Sequence, residues 1–370
     1  MVKAITDGFG STKHLPCIAH ALSHLVPDAI KLSPRIGEII GKVKSIVTLV
    51  KRSVVASDEL KRLQIRDGKT DSIALKFKQD VLTRWNSTYY MLERFLQLKD
   101  YVYSVLLTCP TAPKILSREE IDILEDVVRI LGPIEFVTTE ISGDSYPTSS
   151  LVIPVIHCME GTIKNCVALT VEGNTFRDNI LSEVQRRFKD IELYKLLAVS
   201  TILDPRYKRM HFQSPKAVSA AISYINFQLK TVAANYNMEL NKANDLEPQT
   251  NSEINEFDVW TFHDNLMKSC ASSFDEPGGM NLELRQYLNQ PIIPRNQNPF
   301  KHWQTLKLAY PTLFTVAIRY LSVVATSVPS ERVFSKAGII KSDLRSRLSG
   351  NRLNRLLFLG SLDEKNWGLD

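Results

Sequence analysis

The chain has 370 residues, a net charge of +6, 44% hydrophobic residues and 23% charged residues. This is the balance of a globular protein long enough to bury a large core. No apolar run approaches the roughly 20 residues that cross a bilayer, and the first ten residues lack a basic stretch followed by an apolar one, so no membrane partner or secretory signal is expected and the protein reads as intracellular. The five cysteines, Cys17, Cys109, Cys158, Cys166 and Cys270, are widely spread with no CxxC pair, which argues against a disulfide framework and a four-cysteine zinc site.

Residues 1–10 read as helix or turn, with Gly8 and Gly10 as breakers. Residues 13–17 predict one short strand ended at Pro16, and 18–25 return to a helical period. A stripe of Ile36, Ile39, Ile40, Val43, Ile46, Val47 and Val50 predicts a helix over 34–66, followed by a break at 66–70. Another helix is predicted over 81–98, with Tyr89, Tyr90, Leu92, Phe95 and Leu96 mostly inward. Ser117-Arg118-Glu119-Glu120 is a capping-box pattern ahead of Ile121, Leu124, Val127, Val128 and Leu131.

Residues 142–150 predict a loop, and helices are predicted over 151–170, 175–189, 192–202 and 216–236. From 237 to 299 the chain turns to Asn, Glu, Gln and Ser, broken by Pro277-Gly278-Gly279. That composition predicts a polar linker with one short amphipathic helix near 282–288. In the tail, Pro311 sits in the first turn of a helix running to 324. Pro329 opens the next, with Gly338 as its end, and Ser349 and Gly360 bracket the last. There is no internal repeat and no βαβ alternation, so the fold class is mainly α.

Charge is unevenly placed. Residues 31–99 hold 15 Lys and Arg against 7 Asp and Glu, and the remainder is nearly neutral. Contact with a polyanion is one reading, with Lys42, Lys44, Lys51 and Arg52 as candidate nucleic-acid contacts; a solvated helical surface is the other. Cys17, His20 and His24 are at helical spacing behind His14. They have the look of zinc ligands, against a plainer reading as packing and surface residues.

The stretch Ser327-Val328-Pro329-Ser330-Glu331-Arg332-Val333-Phe334-Ser335 lies between an apolar run and a basic turn, with a Leu-rich helix behind it. It resembles the C-terminal dimerisation region of hAT-superfamily DNA transposases and their BED-type zinc-finger relatives. Other stretches follow in the family's order. Met1-Val2-Lys3-Ala4-Ile5 and Lys13-His14-Leu15-Pro16-Cys17-Ile18-Ala19-His20 resemble the segment around its CxxH motif. Thr83-Arg84-Trp85-Asn86-Ser87-Thr88 resembles its Arg-Trp motif, and Leu203-Asp204-Pro205-Arg206-Tyr207-Lys208 a helical-domain motif of the BED-type branch. Asn298-Pro299-Phe300-Lys301-His302-Trp303 precedes the tail as in the family. The resemblance covers nearly the whole chain, most weakly over the linker.

It implies a remnant of an RNase H-like α/β core at 1–30, a helical insertion domain at 31–236, the polar linker at 237–299 and the dimerisation region at 300–365, whose helices complete the core. In the family three carboxylates hold two Mg or Mn ions, which activate the attacking oxygen and stabilise the leaving one. Glu331 falls at the third carboxylate position. The other two positions would fall upstream of Met1, so the expectation is an incomplete DDE site, no cofactor and no enzymatic activity. Asp7 is ten residues before Cys17, closer than the family's second carboxylate, and reads as a turn residue. Glu331 also has a local role, since the first turn of a helix favours a carboxylate.

The Arg-Trp resemblance makes Arg84 and Trp85 nucleic-acid candidates, the first for phosphate and the second for base stacking; the alternative is a tryptophan anchoring a helix start. Cys17 and His20 match the CxxH motif as packing residues without zinc. No BED-type zinc finger is present in the sequence. Val333, Phe334, Leu353, Leu356, Leu357 and Leu359 supply the tail's apolar surface on helices too short to be stable alone. The resulting expectation is a nuclear, transposase-derived protein that forms a homo-oligomer and retains some DNA binding. The rivals are an active transposase or nuclease, with the upstream residues supplied, and a DNA-binding transcription regulator.

Overall fold

The computed structural model describes residues 7–8, 15–81, 84–109, 112–143, 146–244, 280–341 and 348–362. Contacts divide the chain into two bodies, one of residues 1–145, 159–187 and 325–370, the other of 146–158 and 188–324.

The first body holds α1 (Ile18–Lys31), α2 (Pro34–Arg52), α3 (Val54–Arg66), α4 (Trp85–Leu107), α5 (Arg118–Ile141) and, after the shared helix α6 (Val152–Lys164), α7 (Val171–Phe188). Residues 34–66 are two helices rather than the expected one. Ser53 ends α2 and caps α3, its hydroxyl accepting from Ala56 N at 3.2 Å; serine offers the backbone this alternative to a continuing helix. Likewise α4 starts at Trp85 and not at 81. Val81 and Arg84 form an isolated antiparallel bridge, and Ser87 Oγ accepts from Val81 N at 2.6 Å.

The capping box of α5 is formed in full: Glu120 N donates to Ser117 Oγ at 3.2 Å and Ser117 N donates to the Glu120 carboxylate at 3.1 Å. Behind it Ile123, Leu124, Val127, Ile130, Leu131, Ile134 and Val137 form the buried face of α5. They meet α1, α2 and α4, whose buried faces repeat the 3.6-residue period.

The start of α7 is pinned by a buried carboxylate. Asp126 accepts from Leu169 N, Thr170 N and Thr170 Oγ1 at 2.8–3.1 Å. The helix end is fixed to α1 by Arg187, which pairs with Asp28 at 2.6 Å and with Glu183. Lys31, and then Arg187, hold the Asp28 carboxyl below the usual carboxylate range.

In the second body α8 (Lys195–Leu203) is buried from Leu197 to Leu203. It packs on α9 (Pro215–Asn244) and α12 (Pro311–Leu321), with α10 (Leu282–Asn289) and α11 (Pro299–Leu306) against α12. Part of the stretch expected as linker is therefore structure: α9 runs to Asn244, and 280–299 builds core. Leu284, Tyr287 and Leu288 put the apolar face of the expected short helix inward. Residues 245–279 lie outside the described residues.

The tail adds α13 (Val328–Ile340) and α14 (Gly350–Leu359) to the first body. The helix before it stops at Leu321 rather than 324, and α13 runs through Gly338 to Ile340. The expected strand at 13–17 is irregular over Leu15–Cys17, while Lys13 and His14 lie outside the described residues. Among the described residues there is no strand beyond the Val81–Arg84 bridge. The chain is mainly α.

Candidate functional site

Where α1 begins, the tail returns to it. Ile18 N donates to Ala325 O at 3.3 Å, and Ser327 N donates to Cys17 Sγ at 3.3 Å. Ser327 Oγ lies 3.3 Å from Cys17 Sγ and 2.6 Å from Glu331 Oε1. A hydroxyl has one proton, and the short contact to the carboxylate takes it. The Cys17 sulfur accepts from Ser327 N and lies within reach of the same hydroxyl. Cys17 is thus a packing residue at the junction between the chain's first long helix and its tail. Beside it, Thr326 Oγ1 is buried without a hydrogen-bond partner.

Glu331 is exposed in the first turn of α13. Among the described residues no three His, Cys, Asp or Glu side chains come together to hold a metal. A hard divalent ion requires near-octahedral oxygen ligation, and Glu331 with Ser327 does not supply it; the residues described do not fit a Mg or Mn pair. His20 and His24 are exposed, their rings edge to face at 4.9 Å. His14 lies outside the described residues.

The basic segment separates into two sets. Lys42 pairs with Glu120 at 2.6 Å, joined by Arg35 at 3.1 Å. The hydrogen bond from Lys42 is the main cause of a Glu120 carboxyl held below its usual range. Lys44 pairs with Asp80 at 2.9 Å. Both lysines are candidate nucleic-acid contacts in the sequence; each has an acidic partner that sequence spacing of 78 and 36 residues hides. Lys51, Arg52 and Arg84 are exposed and form no ion pair among the described residues. Lys51 and Arg52 also close the last turn of α2, where cations are favoured. Trp85, by contrast, is 6% exposed with its indole N–H unpartnered. Its buried ring packs at the start of α4.

The tail helices have the opposite character to the core. Neither α13 nor α14 has a buried residue. Val333, Phe334, Leu356 and Leu359 are 41–69% exposed, with Ile339 and Phe358 beside them, and Leu353 and Leu357 are half-buried. The two helices contact each other, and Ser349 caps α14 by accepting from Arg352 N at 3.4 Å.

The Leu203–Lys208 motif, which has no task legible in its sequence, is a hub of the second body. Asp204 is fully buried, bridged by Arg206 at 2.7 Å and hydrogen-bonded by Ser150 at 2.6 Å. Lys208, at φ 47°, donates to Tyr287 O and Gln290 O at 2.6 Å each. Trp303 Nε1 donates to Leu203 O at 2.9 Å.

Comparison with known proteins accounts for this pairing of a helical body and an apolar tail. Residues 283–361 match the hAT family C-terminal dimerisation region, and residues 15–130 match the ZBED1 RNase-like helical domain. The chain is a relative of the hAT transposases and BED zinc-finger proteins. It is 24% identical over 363 residues to human zinc finger BED domain-containing protein 4, covering 96% of this chain and 30% of that protein. It is 24% identical over 367 residues to a Zea mays protein named as an AC transposase, covering 94% and 44%. The match to RICESLEEPER 3 of Oryza sativa subsp. japonica, a zinc finger BED domain-containing protein, is also 24%, covering 85% and 42%. This hAT relative therefore spans 30–44% of the length of these proteins. No helix among its described residues is long and apolar enough to cross a membrane.

Proposed function

We propose that the chain is a transposase-derived nuclear protein that works by self-association through α13 and α14, with DNA contact through its basic face. In this reading the chain itself supplies no complete set of catalytic carboxylates. The observation that carries it is the exposure of Val333, Phe334, Ile339, Leu356 and Phe358 on two short helices without a buried side chain. Helices of 13 and 10 residues are marginal in water and need a packed face. Covering a fully exposed large apolar side chain is worth about 1.5–3 kcal/mol, and these partly exposed ones contribute a share of that toward association.

A second copy is the occupant that the match to the hAT dimerisation region favours. Lys51, Arg52 and Arg84, exposed and in no ion pair among the described residues, support the DNA part of the reading, since phosphate neutralisation needs cations not already held by carboxylates. Sedimentation velocity over a wide concentration range tests the proposal. A dimer that dissociates on dilution supports it, and a monomer at every concentration contradicts it.

A further inference from the structure

A cavity of about 410 Å³ opens in the first body between the end of α2, the start of α3 and the segment 71–77. Its volume lies in the range of small-ligand pockets. The floor is apolar: Val50, Leu60, Leu75 and Phe77, the last buried against Phe95 with ring centroids 6.1 Å apart. The rim carries Lys51, Lys61 and Lys76 with Asp58 and Asp71. Lys61 is neutralised by Asp71 at 2.5 Å. Lys51 and Lys76 are exposed and in no ion pair among the described residues, and neither is Asp58 in one, so the rim sets two ammonium groups against one carboxylate above the apolar floor.

The wall is built in advance. Gln64, fully buried, accepts from Leu75 N at 2.8 Å and donates to Leu75 O at 2.9 Å and to Leu60 O at 3.2 Å. Arg94 holds Lys76 O at 2.9 Å. The irregular segment 74–77 therefore cannot fall into the space beneath it, and a ligand would not have to order it on binding.

We propose that this cavity binds a mononucleotide-sized anion, with phosphate between Lys51 and Lys76 and an apolar ring system on the floor. A bare anion leaves the floor unused, and an uncharged ring leaves both ammonium groups unsatisfied; the combination suits both. The proposal does not depend on the chain binding duplex DNA.

Isothermal titration calorimetry of the full chain with AMP, inorganic phosphate and adenosine tests it. AMP binds, and phosphate and adenosine each bind at least about tenfold more weakly, a difference of about 1.4 kcal/mol. The double variant Lys51→Gln, Lys76→Gln weakens AMP at least tenfold while Lys189→Gln, on an exposed lysine of the second body, leaves it unchanged. Absence of AMP binding at millimolar concentration overturns the proposal. So does phosphate binding as well as AMP, or an equal loss in Lys189→Gln.

Discussion

Ser327 Oγ donates a 2.6 Å hydrogen bond to Glu331 Oε1 within the first turn of α13. The Glu331 carboxylate is thereby engaged in a helix-start interaction favoured by the macrodipole. Such a role is small in energy. Glu331→Gln is expected to change stability by less than about 0.5 kcal/mol. Strand cleavage with Mg²⁺ or Mn²⁺ is expected to be at background in both forms, and robust cleavage lost in Glu331→Gln would show a working metal site.

The two sets of basic residues should separate experimentally. Lys42→Met removes the closer partner of a carboxylate whose side chain is 4% exposed. With Arg35 remaining, the loss is about 1–2 kcal/mol in chemical denaturation. Because the Glu120 carboxyl is depressed in the fold, its contribution is complete above the ordinary carboxylate range and disappears as pH falls through its folded value. Neutralising Lys51, Arg52 and Arg84 should leave stability nearly unchanged. Instead it weakens DNA binding, and each residue that contacts phosphate flattens the dependence of log K on log salt by about 0.9. Equal DNA loss in Lys42→Met would mean the ion pair opens on binding.

Gly173→Ala should destabilise the first body. An added Cβ would lie 2.5 Å from Asp126 Oδ2, 2.7 Å from Asp126 Cβ and 2.8 Å from Thr170 Oγ1. Asp126 cannot swing aside without releasing the donors at the start of α7. A loss of about 1–3 kcal/mol is expected; a wild-type melting curve would show that α7 can start elsewhere.

Burial, with a smaller effect from Arg209, brings the Lys208 ammonium down to about 8. Between that value and the usual lysine range the unfolded chain binds more protons, so stability rises with pH over this window and the cost of the charge is greatest below it. In Lys208→Met the rise should vanish. Matched pH series of urea unfolding check this, and parallel slopes for the two proteins would contradict it.

Local signals were legible in the sequence wherever they involve neighbours on one element. The Ser117–Glu120 capping box, the buried stripe of α2 and the caps of α14 follow from spacing alone. Breaks caused by a single hydroxyl were harder: Ser53 stands in an unbroken apolar period, and only its bond to Ala56 N shows that the helix restarts. Long-range pairing was hardest. Lys42–Glu120 and Lys44–Asp80 look like free basic charge until the fold brings the acids to them, and the sequence leaves Trp85 open between stacking and anchoring, with no sign of its burial. The cavity beside Lys51 is invisible in sequence because its walls come from three separate segments.

The central claim is that the apolar surface of α13 and α14 joins two copies of the chain. Size-exclusion chromatography with light scattering, on the wild type and on Phe334→Asp with Leu356→Asp, tests it most directly. Both side chains are exposed, so the variant should fold with an unchanged helical spectrum. The account predicts a dimer for the wild type and a monomer for the variant. A wild type that is monomeric at all concentrations, or a variant that stays dimeric, would contradict it.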